Sequence, residues 1–349
     1  MKRKYAAILI IVVVVGTGSF LWNHFINPDP VSAELKQMVT DSKTSTFSVK
    51  KWEEADRYSK KAIKFKEKDE LMSSGNEFAV TGVKLKAPYG IACLPEGILL
   101  ADHGESCLYL IDYSGNLVRK IGELGNGPNQ FQKPTGCTYH NGYYYVIDSG
   151  NKRIVILDRQ FNYTKELKLP KSEREPEKEF TDIAINDKGD IYISGSYLYD
   201  SGLYRYNLGK EKFENVQKYF YGSLKEFDGE VYAVDQFRIY VDFEKKEITG
   251  GAGPNALWKL DGRNIKKLSN LPAGLNAGSF ELLRDNLIIC SPFHSTVMAF
   301  NMNDGKYIGN IYEVNKMDYK TYASIYGSDL YITEPEKGKI LKISLEKLQ

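Results

Sequence analysis

Histidine is the scarcest chemistry-bearing residue here: outside the N-terminal segment only His103, His140 and His294 occur. His103 and His294 each follow a short apolar run, in Asp102-His-Gly104 and Ser291-Pro-Phe-His294. A catalytic zinc needs three protein ligands and an open position. Two histidines do not complete that set, so a carboxylate such as Glu336 or Asp235 would have to supply the third ligand. The four cysteines, Cys93, Cys107, Cys137 and Cys290, lie in apolar strand-like contexts without a C-x-x-C spacing. They are expected as buried free thiols, not as metal or redox ligands. No full catalytic constellation can be written from these residues, which ranks binding above catalysis and leaves no metal or cofactor expected.

The elements that must position these side chains repeat along the chain. Lys86-Ala-Pro-Tyr-Gly90 falls on Gln132-Lys-Pro-Thr-Gly136, so that Pro88 meets Pro134 and Gly90 meets Gly136, 46 residues on. Asp102-His-Gly104 then falls on Asp148-Ser-Gly150, and Leu108–Asp112 on Ile154–Asp158. Weaker copies follow at Asp182–Ser194, Phe227–Asp235, Leu287–Asn301 and Leu330–Ile343. Four short strands at a period of forty-odd residues mark a propeller blade. A single twisted sheet cannot bury both faces, whereas a ring of six covers every inner face and leaves short edges. The last copy is one strand short, and Phe78–Leu85 is predicted to supply it and close the ring.

One stretch also resembles a known family. Gly125-Asn-Gly-Pro-Asn-Gln-Phe131-Gln-Lys-Pro134-Thr-Gly136, then Val146-Ile-Asp148-Ser-Gly-Asn151-Lys-Arg153-Ile154, is similar to the NHL repeat of the TolB-like propeller superfamily. The resemblance implies an all-β, six-bladed propeller of four-stranded blades. It also implies that Asp148, Asn151 and Arg153 are structural, the first two bonding the tight loop and the arginine bridging to a neighbouring blade. Gly125 and Gly127 precede a proline and a strand, not a helix, so they read as a blade connector and not a phosphate cradle. Some NHL-like enzymes hold zinc at the rim with histidines from several blades, and streptogramin lyases use a rim histidine. That implies the alternative function, a metal-dependent lyase or hydrolase of the NHL-like or gluconolactonase-like kind.

The N-terminus has a separate logic. Met1-Lys2-Arg3-Lys4 is basic, an apolar stretch runs from Tyr5 through Phe25, and no further Lys or Arg comes until Lys36. About twenty such residues span a bilayer as a helix, and the positive-inside bias leaves the remainder outside. Residues 1–26 are therefore predicted to be a transmembrane anchor, with the body extracytoplasmic. A cleaved signal peptide ending near Gly16-Thr17-Gly18 or Val31-Ser32-Ala33 is the competing reading. Residues 27–76 read as a polar, partly helical stalk and 77–349 as the propeller. A net charge of +2 carries no nucleic-acid footprint.

Two features decorate the expected rim. Gly195–Gly202 is a long loop bearing Tyr197 and Tyr199, and residues 236–255 form an insertion whose Phe237–Phe243 and Glu247–Thr249 suggest an extra hairpin. Long loops on a rigid ring are where specificity is kept. The expected function is recognition of an envelope protein, peptide or glycan by His103, Tyr197, Tyr199, Phe237, Arg238, Tyr240 and His294.

Overall fold

The computed structural model describes Ser48–Val49 and residues 71–348, apart from 172–178, 197–200, 219, 221, 236–237, 243–246, 252–254, 273–274, 276, 293 and 319. The expected anchor and most of the expected stalk lie outside the described residues. Among the described residues no helix is long and apolar enough to cross a membrane.

Six four-stranded antiparallel sheets follow one another. Blade I consists of Pro88–Leu94, Gly97–Asp102, Cys107–Ile111 and Leu117–Ile121, from the ring's centre outward. Blade II repeats this with Pro134–His140, Tyr143–Asp148, Arg153–Leu157 and Tyr163–Lys168. Blades III, IV and V begin with the inner strands Glu179–Ile185, Gly222–Phe227 and Ser279–Leu283. Blade VI has Ala323–Tyr326 innermost, then Asp329–Glu334 and Lys339–Ser344. Each inner strand packs on the next, and that of blade VI returns to that of blade I.

Alternation explains the core. The second and third strands are apolar on both faces, as in Gly97–Asp102 and Cys107–Ile111, which are buried throughout. The outer strands, such as Leu117–Ile121, bury little beyond one end. Six apolar clusters result, one in each interface between neighbouring sheets. Between blades I and II, for example, Leu99, Leu108 and Ile121 meet Phe131, Val146 and Val155.

Around the axis, polar bonds join blade to blade. Thr135 Oγ1 donates to the Phe180 carbonyl at 2.6 Å, and Leu224 N to Asp182 Oδ2 at 2.9 Å. Ser223 Oγ donates to the Gly278 carbonyl at 3.0 Å, Ala323 N to Ser279 Oγ at 3.1 Å, and Cys93 N to Ser324 Oγ at 2.9 Å. Between blades I and II, and again between II and III, the inner strands also meet sterically. A Cβ on Gly90 would sit 2.1 Å from the Thr135 carbonyl oxygen, and one on Gly136 would sit 2.7 Å from that of Thr181. The aligned glycines mark where adjoining inner strands approach too closely for any side chain.

Closure differs from the sequence expectation by a few residues. The outer strand of blade VI is Gly75–Glu77, paired antiparallel with the last strand through Gly75↔Ile343 and Glu77↔Leu341. Phe78 extends this pairing by one bond, to the Ile340 carbonyl. The chain then leaves for blade I, where Thr81 bridges Asn116. An outer strand needs only backbone pairing, so polar Gly-Asn-Glu serves. The apolar Phe78 and Leu85 instead fill the interface between blades VI and I.

The insertion in blade IV forms the expected hairpin, Arg238–Asp242 against Glu247–Gly251, and Ser48–Val49 pairs parallel with its second strand. In blade III the long loop is shorter than its sequence suggested, because Gly195 and Gly202 are paired partners in adjoining strands.

Candidate functional site

The inner strands start, and the second strands end, at one mouth of the ring. His103 follows the second strand of blade I, its backbone N–H donating to the Ala87 carbonyl at 2.9 Å. Its imidazole stacks on Tyr89 with centroids 4.3 Å apart and planes 11° from parallel. Tyr322, just before the inner strand of blade VI, also stacks with Tyr89, with centroids 5.9 Å apart. Lys320 stands 5.2 Å over the Tyr89 ring and pairs with Glu179 Oε2 at 2.9 Å. Three blades, I, III and VI, thus meet in one stack of rings capped by an ion pair.

Burial lowers the pKa of His103 from its usual value; Glu179 opposes this, while Lys320 and Lys133 reinforce it. The ring is therefore neutral near pH 7, and its Nδ1 is shielded from solvent without a hydrogen-bond partner. Burial disfavours the Glu179 carboxylate, but Lys320, His103 and Lys133 outweigh it and hold its pKa below the usual value.

Below the mouth runs a channel cavity of about 250 Å³. Each blade contributes to its lining, through Cys93, Tyr139, Asp182, Lys225, Glu281 and Ser324 in turn. Lys225 Nζ lies 2.8 Å from Glu281 Oε1 and donates to the Ala323 carbonyl. Asp182 accepts from Ile183 N at 3.0 Å and Leu224 N at 2.9 Å. Burial pushes the Asp182 and Glu281 carboxyls up despite Lys225. Burial also pushes the Cys93 and Cys137 thiols up to about 12, which leaves them un-ionised. All four cysteines are free; Cys107, Cys137 and Cys290 are buried and Cys93 is half-buried.

Those of the contact residues picked from sequence that the structure describes lie in blades I, IV and V. His103 belongs to the mouth cluster. His294 occupies the corresponding loop of blade V, where its carbonyl accepts from Thr296 Oγ1 at 2.8 Å, and it is not among the groups that shift His103. Arg238 and Tyr240 lie on the blade IV hairpin, while Tyr197, Tyr199 and Phe237 fall outside the described residues. Of the carboxylates considered for zinc, Asp235 Oδ1 accepts from Ala256 N at 2.9 Å and Trp258 Nε1 at 3.3 Å. Glu336 stands 3.9 Å from Lys316. Among the described residues no three His, Cys, Asp or Glu side chains come together as metal ligands would.

The repeat residues have a definite geometry. Asp148 accepts from Gln132 N at 2.7 Å, Asn151 Nδ2 at 2.7 Å and Arg153 Nε at 2.9 Å. Arg153 continues to Glu166 at 2.8 Å and to the Gly127 and Gln130 carbonyls at 2.8 and 2.9 Å. Asn151 also donates to the Gly125 carbonyl at 2.8 Å, so the trio staples the connector between blades I and II.

Sequence reasoning missed Tyr89, Glu179, Lys320 and Tyr322, as well as the charged members of the channel ring. Part of the ring had a readable signal, because Lys225 and Glu281 each place a charge three residues past a glycine, Gly222 and Gly278. The mouth residues had none, since only ring closure brings blade VI beside blade I.

A family model described as a 6-bladed beta-propeller matches residues 82–220. The chain is a six-bladed β-propeller. Among solved structures, virginiamycin B lyase from Staphylococcus aureus superposes with a TM-score of 0.52 at 15% identity, over 78% of this chain and 99% of that one. A luciferin-regenerating enzyme gives 0.55 at 10% identity, over 78% and 95%. A protein of unknown function from Bacteroides thetaiotaomicron gives 0.54 at 14% identity, over 78% and 72%. At such identities the likeness is one of fold. No match to a curated protein was found.

Proposed function

We propose that this propeller is an NHL-type recognition module, held on the outer side of the cytoplasmic membrane by residues 1–26. Its ring mouth takes a protein, peptide or glycan of the cell envelope. The basic start and apolar stretch support the placement. The observation that carries the binding role is the stack of His103, Tyr89 and Tyr322 beneath the Lys320–Glu179 pair. Aromatic faces beside a charged rim are what interfaces use as anchors. The blade IV hairpin, with Arg238 and Tyr240, adds a second contact element to the rim.

The test presents the full-length protein with an array of envelope peptides and glycans. Tyr89→Ala and Lys320→Ala should each weaken retention about tenfold, equivalent to ~1.4 kcal/mol. His140→Ala, on the last residue of an inner strand and so at the opposite end, should leave it unchanged. Equal retention by all variants would remove the mouth from the proposal. One observation favours a second reading as lyase or hydrolase: the neutral His103 with an unpartnered Nδ1 has the protonation state of a general base. Turnover of a retained ligand, abolished in His103→Ala, would put that reading first.

A further inference from the structure

The channel ring carries a charge imbalance of its own. Lys225 supplies one positive charge against the two carboxyls of Asp182 and Glu281, so with both ionised one negative charge is in excess at the ring's centre. The excess persists toward the channel's end, where the exposed Glu226 adds another acid. Water is a poor remedy at this depth, and an uncompensated interior charge is met by a proton or a cation.

Other observations mark this place as a receptacle and not as a closed ion pair. Lys225 and Glu281 lie deep in the ring, yet 17% and 12% of their side-chain surfaces stay accessible, and the surface they face is the cavity. Among the described residues Glu281 pairs with Lys225 alone, leaving most of its lone pairs unused. Thr138 also faces the cavity, and its hydroxyl makes no hydrogen bond among the described residues. Carboxylate and hydroxyl oxygens around a space of about 250 Å³ suit a donor with several N–H bonds. At roughly 30 Å³ per water, that space holds about eight waters or a small ligand of about that many heavy atoms.

We propose that the channel of this propeller binds a small organic cation, a protonated amine held by Asp182, Glu281 and Thr138. A divalent metal is a poor occupant, because it requires several convergent oxygen ligands and the Lys225 ammonium stands among those present. A neutral sugar would leave the excess charge unmet. The inference stands apart from the reading of the mouth, and its test does not use the mouth ligand.

The experiment titrates the full-length protein with ethylammonium chloride by calorimetry at fixed ionic strength, beside sodium chloride, calcium chloride and glucose. Saturable binding of ethylammonium is expected, weakened about tenfold or more by Asp182→Asn or Glu281→Gln and unchanged by Glu166→Gln on the outer strand of blade II. Failure of ethylammonium to saturate would overturn the proposal, as would equal or tighter binding of sodium, calcium or glucose. So would full affinity in both charge-neutralised variants. If a variant does not fold, as judged by its thermal transition, the four ligand arms on the parent protein decide.

Discussion

Two buried ion clusters in this molecule look alike as residue types and differ in how they are satisfied. In blade II, Asp148, Asn151, Arg153 and Glu166 engage one another and the connector backbone through six side-chain hydrogen bonds beyond the Gln132 N–H. In the channel, Asp182, Lys225 and Glu281 come from three different blades, face open volume and leave acceptor capacity unused. A satisfied network holds a loop, whereas a partly satisfied one facing a cavity is prepared for something else. The difference separates architecture from site where residue identity does not.

The largest effect should come from breaking the satisfied cluster. Arg153→Leu strands the buried Asp148 carboxylate and should cost about 3–5 kcal/mol, read as a lower denaturant midpoint. Lys225→Met should cost less, about 1–3 kcal/mol near neutral pH, because the carboxyls left behind face open volume and can take up protons. That cost should shrink as pH falls, since the Asp182 and Glu281 carboxyls already have raised pKa values and protonation relieves the stranded charge. Equal losses in the two variants would erase the distinction between the clusters.

Two smaller effects sharpen it. Glu166→Gln touches the exposed end of the satisfied cluster, where the carboxylate is 36% accessible, and should cost under about 1 kcal/mol. At the mouth the signal is a pH slope. His103 is held neutral in the folded chain with its pKa lowered, so unfolding takes up a proton as pH drops below 6.5. The parent should therefore lose stability from pH 6.5 down through the folded pKa, and His103→Gln should be flatter across that window, measured by unfolding midpoints.

Much of the ring was legible because propeller geometry writes itself into single positions. Gly90 and Gly136 align because neighbouring inner strands leave no room for a Cβ. Asp102 and Asp148 align because each caps the end of a second strand, Asp102 taking four backbone N–H groups. Phe78–Leu85 was read as the closing strand on its apolar content, but edge pairing is a backbone property and the apolar residues served the interface instead. The mouth was legible only in His103. Glu179 and Lys320 are 141 residues apart and meet only because the ring closes.

That closure has a kinetic side. Gly75–Glu77 is made before any blade and pairs with Lys339–Ser344, near the end of the chain, joined further by the Lys339–Glu77 ion pair across 262 residues. Bringing such distant segments together carries a loop-closure entropy that nearest-neighbour blade pairing does not. The seam is therefore expected to form last, which hydrogen exchange during refolding would show as late protection of the Gly75–Glu77 and Lys339–Ser344 amides. Tension applied through the preceding chain would act first on the two-residue pairing of Ser48–Val49 and next on this three-residue strand.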